Sequence, residues 1–92
     1  MAEKITEEQR KLLAKFVLDN GLSIQFDRLN DSESTIRCIF TLWGELPRNE
    51  SGKPLFSTGK SMEEAFDDMY WELCGETLCY HTGPEEVFKI PF

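Results

Sequence analysis

The chain has 92 residues, 40% of them hydrophobic and 29% charged, and a formal net charge of −7. That length sets a single domain with one core and little room for an internal substrate cavity, and no apolar run reaches the roughly 20 residues that span a bilayer. Excess negative charge repels phosphate backbones and membrane surfaces and attracts basic ones, so neither direct nucleic-acid binding nor membrane binding is expected.

Thr6-Glu7-Glu8-Gln9 has the form of a capping box, and Leu12, Leu13, Phe16 and Val17 follow on one helical face. A first helix is therefore expected over residues 6–20, closed by Asn20-Gly21. Leu22, Ile24 and Phe26 alternate with polar residues, as in a half-buried strand, and Asn30-Asp31-Ser32 reads as a turn. Thr35 to Trp43 is the strongest strand signal. Ile36, Cys38, Phe40 and Leu42 share one face, Arg37, Ile39, Thr41 and Trp43 the other, and the pair of strands reads as an antiparallel hairpin.

A polar loop follows from Leu46 to Lys53. Pro54 assigns an edge position to a short strand through Leu55-Phe56-Ser57. Ser61-Met62-Glu63-Glu64 is a second capping box, and Met62, Phe66, Met69, Tyr70 and Leu73 form the stripe of a second helix over residues 61–74. The tail, with Leu78-Cys79-Tyr80 and Val87 to Ile90 around Thr82-Gly83-Pro84, reads as short strands or an extended segment. The expected fold is a small single α+β domain in αβββα order. A three-stranded antiparallel sheet carries two helices on one face, and an extended C-terminal tail follows.

Met1 to Gln9 is polar and lacks the apolar core of a signal peptide. The three cysteines are odd in number and form no disulfide framework, which points to the cytoplasm.

The charge is distributed unevenly. Residues 1–60 carry nine basic and nine acidic side chains, whereas residues 61–92 carry one base, Lys89, against eight acids, which accounts for the whole −7. On helical geometry Glu63, Glu64, Asp67, Asp68 and Glu72 share the arc opposite the apolar stripe, with Trp71 among them. Tryptophan is enriched at binding hot spots and acidic rims speed association with basic surfaces. These six residues are therefore the candidate site for a protein partner with a basic surface. The expected role is a non-catalytic regulator, inhibitor or adaptor, one form being an inhibitor that imitates nucleic-acid charge. In size and charge the chain resembles the small accessory proteins of bacteriophages and mobile elements.

Arg37, Ile39 and Trp43 form the alternative surface. If the helices cover only the other sheet face, these three lie exposed and offer a homodimer contact. Cys38, Cys74, Cys79 and His81 contain the residue types of a zinc site, and Cys79 with His81 those of a thiol enzyme. The C-x4-C-x-H spacing lies at the edge of zinc usage, and no pocket or oxyanion donor is legible beside Cys79, so no metal, cofactor or catalytic residue is assigned. Gly59-Lys60-Ser61 matches the end of a phosphate-binding loop, but Pro54 stands where that loop needs glycine. Gly59 is instead expected to make a turn and Ser61 to cap the helix.

The order helix, strand, strand, short strand, helix resembles that of double-stranded RNA-binding domains. The junction Gly59-Lys60-Ser61-Met62-Glu63-Glu64-Ala65 is similar to the Gly-x-Ser, lysine and alanine run that opens the last helix in that family. The resemblance implies a related scaffold. The family's phosphate-contacting lysines correspond here to Met62, Glu63 and Glu64, so it does not imply RNA binding.

Overall fold

The computed structural model describes residues 3–31 and 33–92; Ser32, part of the expected turn, lies outside them. Helix α1 spans Glu7–Asp19. Its capping box is complete: Thr6 Oγ1 accepts the Gln9 N–H at 3.1 Å and Gln9 Oε1 accepts the Thr6 N–H at 2.8 Å. At the other end Gly21 takes φ 65°. The Leu22 N–H then reaches Val17 O and the Gly21 N–H reaches Leu18 O, which satisfies two otherwise orphaned carbonyls. The helix buries Leu13, Phe16 and Val17 but leaves Leu12 half exposed, so its stripe is narrower than the sequence suggested.

Strand β1 (Ser23–Arg28) pairs antiparallel with β2 (Ile36–Thr41), from Ser23 opposite Thr41 to Arg28 opposite Ile36. Strand β3 (Ser57–Gly59) pairs antiparallel along the other side of β2, starting two residues later than expected but at the sheet edge, as Pro54 indicated. Helix α2 (Met62–Leu73) packs across β3 and β2, and α1 packs beside α2. The α+β architecture is therefore the expected one. Ser61 Oγ accepts the Glu64 N–H at 3.1 Å, the N-cap half of the second capping box.

The closeness of β3 and α2 rests on two small residues. Ser57 Oγ donates to the Ala65 carbonyl at 2.5 Å. A Cβ on Gly59 would stand 2.5 Å from the Ala65 nitrogen and 2.8 Å from the Glu64 carbonyl carbon. Gly59 thus lies in a strand, where it lets a helix approach; it is not the turn residue expected from the sequence.

The tail is a hairpin, which resolves the two readings of it. Strands β4 (Thr77–Tyr80) and β5 (Glu86–Lys89) pair antiparallel. Backbone bonds in both directions between Arg48 and Cys79, at 3.0 and 2.7 Å, fasten β4 to the loop before β3. Leu78 and Tyr80 are fully buried in the common core, and the Tyr80 hydroxyl donates to the Phe40 carbonyl. The final residue, Phe92, stacks on Tyr70 at 4.5 Å and meets Phe16 edge-on at 6.2 Å, so it ties the two helices together.

The outer sheet face differs from expectation. Ile39 is only 4% exposed. Arg37 pairs with Asp27 across the β1–β2 ladder, through Nε at 2.8 Å and Nη2 at 2.5 Å, and its guanidinium lies over the Phe56 ring. The hydrogen bond from Arg37, and then its charge, hold the Asp27 carboxyl below its usual range against partial burial. The open Arg37–Ile39–Trp43 surface read as a dimer face is therefore not formed. Only Trp43 is open, 79% exposed at the tip of a tight turn closed by Leu42 and Glu45.

Trp43 and Gly44 both have positive φ, 50° and 82°. That geometry favours Asn-Gly and strains other side chains. Trp43→Asn is expected to raise stability by about 1 kcal/mol, read as a higher urea midpoint at unchanged slope.

Candidate interaction site on helix α2

Two forces set the orientation of α2. Ala65, Met69, Tyr70 and Leu73 turn toward the core, and Met62, at the helix start, remains 55% exposed. The flank facing α1 carries Asp67. Its carboxylate receives Arg10 Nε at 2.9 Å and Arg10 Nη2 at 2.7 Å, a bidentate clamp between the helices. Arg10 Nη2 also lies 4.0 Å from Glu63. Asp67 is only 8% exposed, so it is a structural carboxylate and not part of an open surface. The Arg10 guanidinium is held more firmly protonated, first by the hydrogen bond to Asp67 and then by its charge.

Trp71 is the second departure from expectation. It is half-buried against the core, edge-on to Tyr70 at 5.0 Å, and its indole N–H donates to the Glu3 carbonyl at 2.6 Å. It therefore holds a neighbouring segment and is not a free anchor among carboxylates.

The remaining acids stay on the outer side. Two shallow clefts, of about 390 and about 450 Å³, run along α2 and meet at Thr58, Glu64 and Asp68. Glu63 and Lys4 border the first; Glu72, Trp71 and Lys60 border the second. Asp68 Oδ2 accepts the Thr58 N–H from β3 at a long 3.4 Å. Among the described residues no ion pair reaches Glu64, Asp68 or Glu72.

The crowding has an electrostatic consequence. Partial burial, and next the charge of Asp68, push the Glu72 carboxyl above its ordinary value of 4.5, with Lys53 opposing. A raised folded value means stability that is present below pH 4.5 and lost as pH rises through the folded pKa. Glu72→Gln is therefore expected to raise the Tm at pH 7, and the gain should vanish below pH 4. A gain that persists in acid would assign it to packing instead of charge.

The cysteines and the histidine do not converge. Cys38 lies on β2, Cys79 on β4, Cys74 caps α2, and His81 is exposed beyond β4. Burial pushes the Cys38 thiol up to about 12, against a hydrogen bond with Ser57. Burial also raises Cys74 and Cys79, and Glu85 adds to the rise at Cys79. Among the described residues no group of three or more His, Cys, Asp and Glu side chains is arranged to hold a metal ion. No helix among them is long and apolar enough to cross a membrane.

Arg10, Lys4 and Thr58 escaped the sequence reading. Arg10 and Asp67 are 57 residues apart, and no local pattern links them. Comparison with protein-family models, curated proteins and solved structures finds no match to this chain.

Proposed function

We propose that the chain is a non-catalytic interaction module whose α2 face receives a basic protein surface. The observation that carries this reading is the set of carboxylates Glu64, Asp68 and Glu72, half-buried to exposed along two joined clefts and without an internal ion-pair partner among the described residues. Such a face offers Coulombic attraction to lysine and arginine at the cost of internal repulsion. One form of this function is an inhibitor that occupies the nucleic-acid site of a basic partner. The cytoplasm is the compartment proposed, from the three free cysteines. The homodimer reading is set aside, because Ile39 is buried and Arg37 is engaged by Asp27 and Phe56.

The test is titration of the protein with a ten-residue lysine peptide. Affinity should fall steeply as salt rises, since exposed charges are screened beyond about 10 Å at 0.1 M. Joint reversal of Glu64, Asp68 and Glu72 to lysine should reduce binding at least tenfold. Equal reversal of Glu7, Glu8 and Glu33, acids outside the clefts, should cost much less. Equal losses from the two triple variants would reduce the effect to net charge and defeat the reading.

A further inference from the structure

Residues 3 and 4 line the cleft on the acidic face of α2, and Lys4 brings a cation to it beside the Glu3 carboxylate. Ile5 is buried in the core at 5% exposure, and Thr6 is fixed by the capping box. Two residues before Ile5, the Glu3 carbonyl accepts the Trp71 indole N–H. Lys4 lies between these anchors and lines the first cleft together with Glu63, Glu64, Asp67 and Asp68.

The two anchors differ in kind. Ile5 is held by apolar burial, whereas Glu3 is held through a hydrogen bond at the exposed surface.

We propose that residues 3–4 form a strap that closes on the acidic face of α2 as a built-in competitor, with Trp71 as its latch and Lys4 as its cation. The proposal rests on the reading of that face as the site for a basic partner. A tethered cation competes at high effective concentration. An incoming basic segment then binds only the fraction of molecules with the strap open, which lowers apparent affinity by that fraction. The latch also gives a reason for Trp71 among carboxylates: its N–H is committed to the strap, so the face changes between a closed state and an open one.

The experiment is titration with the same ten-residue lysine peptide at low salt. Trp71→Phe keeps an aromatic side chain, though a smaller one, and the net charge, but removes the N–H that holds Glu3. A hydrogen bond of ordinary net strength shifts such an equilibrium by a factor of roughly three to ten, and the variant should bind tighter by that factor. Lys4→Gln should also bind tighter, whereas Lys11→Gln, on α1 away from both clefts, should not. In a Trp43→Phe protein, Trp71 is the single tryptophan, and its emission should shift to longer wavelength as the peptide displaces the strap.

Binding by the parent protein, with Trp71→Phe and Lys4→Gln within twofold of it and no change in Trp71 emission, would overturn the strap while leaving the basic-partner reading intact. Absence of peptide binding in parent and variants alike would overturn that reading, and the strap with it.

Discussion

Gly59→Ala is expected to destabilise the domain by about 3 kcal/mol, and to lower its Tm by roughly 10–20 °C for a chain of this size. The new methyl carbon would stand 2.5 Å from the Ala65 nitrogen, 2.8 Å from the Glu64 carbonyl carbon and 2.9 Å from Glu64 Cβ. Two of these three are backbone atoms in the first turn of α2, where no side-chain rotamer can yield. Relief requires α2 to lift from β3, which stretches the Ser57–Ala65 hydrogen bond and loosens the contact of Ala65 with the sheet. Ala65→Gly should not rescue the variant, because the methyl group it removes is not what Gly59 would strike. Thermal melts of the two single variants and the double variant check this. A Gly59→Ala protein within 0.5 kcal/mol of the parent would show that β3 and α2 are not this close.

The second large effect lies at Tyr80. Its side chain is fully buried, meets Phe88 edge-on at 5.8 Å, and donates its hydroxyl to the carbonyl of Phe40 on β2. It joins the C-terminal hairpin to the central strand. Tyr80→Ala removes a whole ring from the core, at a cost of about 3–5 kcal/mol, a large share of the roughly 5–15 kcal/mol that holds a domain together. Tyr80→Phe keeps the ring and loses only a buried hydrogen bond, about 1–2 kcal/mol. Urea titration of both variants separates the two contributions.

Alkaline pH gives a further check on Tyr80. Burial raises its phenol above the ordinary value of 10.0. The unfolded chain therefore ionises first, and stability is lost as pH rises above 10. Tyr80→Phe should abolish that part of the alkaline loss. If its stability declines above pH 10 as steeply as the parent's, the hydroxyl is not buried as described.

Gly59 and the α2 face depend on one arrangement. The clefts exist because β3 sits tightly under the start of α2, so that Thr58 borders both of them beside Glu64 and Asp68. Arg10 reinforces this from the other side by holding Asp67. A variant that lifts α2 should therefore weaken both stability and any binding at the acidic face, whereas Glu72→Gln should raise the first while it lowers the second. That opposition is the expected mark of a surface whose charge serves a partner and not the fold.

The sequence by itself determined the elements that local rules control. Both helices begin at their capping residues, Thr6 and Ser61, because a side-chain oxygen there satisfies an orphan N–H whatever lies elsewhere. Alternation from Ile36 to Thr41 sufficed for the central strand and its hairpin with β1. The uneven charge was also legible, since it is a property of composition. The tertiary structure alone decided which carboxylates are open. At 100° per residue Asp67 shares an arc with its acidic neighbours, but α1 docks on that flank, and Arg10, 57 residues away, turns it into a structural pair. Ile39 and Trp71 depart from the expectation for the same reason. Helical and strand periodicity give a side chain's direction, not what arrives to cover it; Trp71 is met by the Glu3 backbone and the Tyr70 ring, while Ile39 is buried on a sheet face read as open. Long-range packing made that choice, and no local pattern in the chain encodes it.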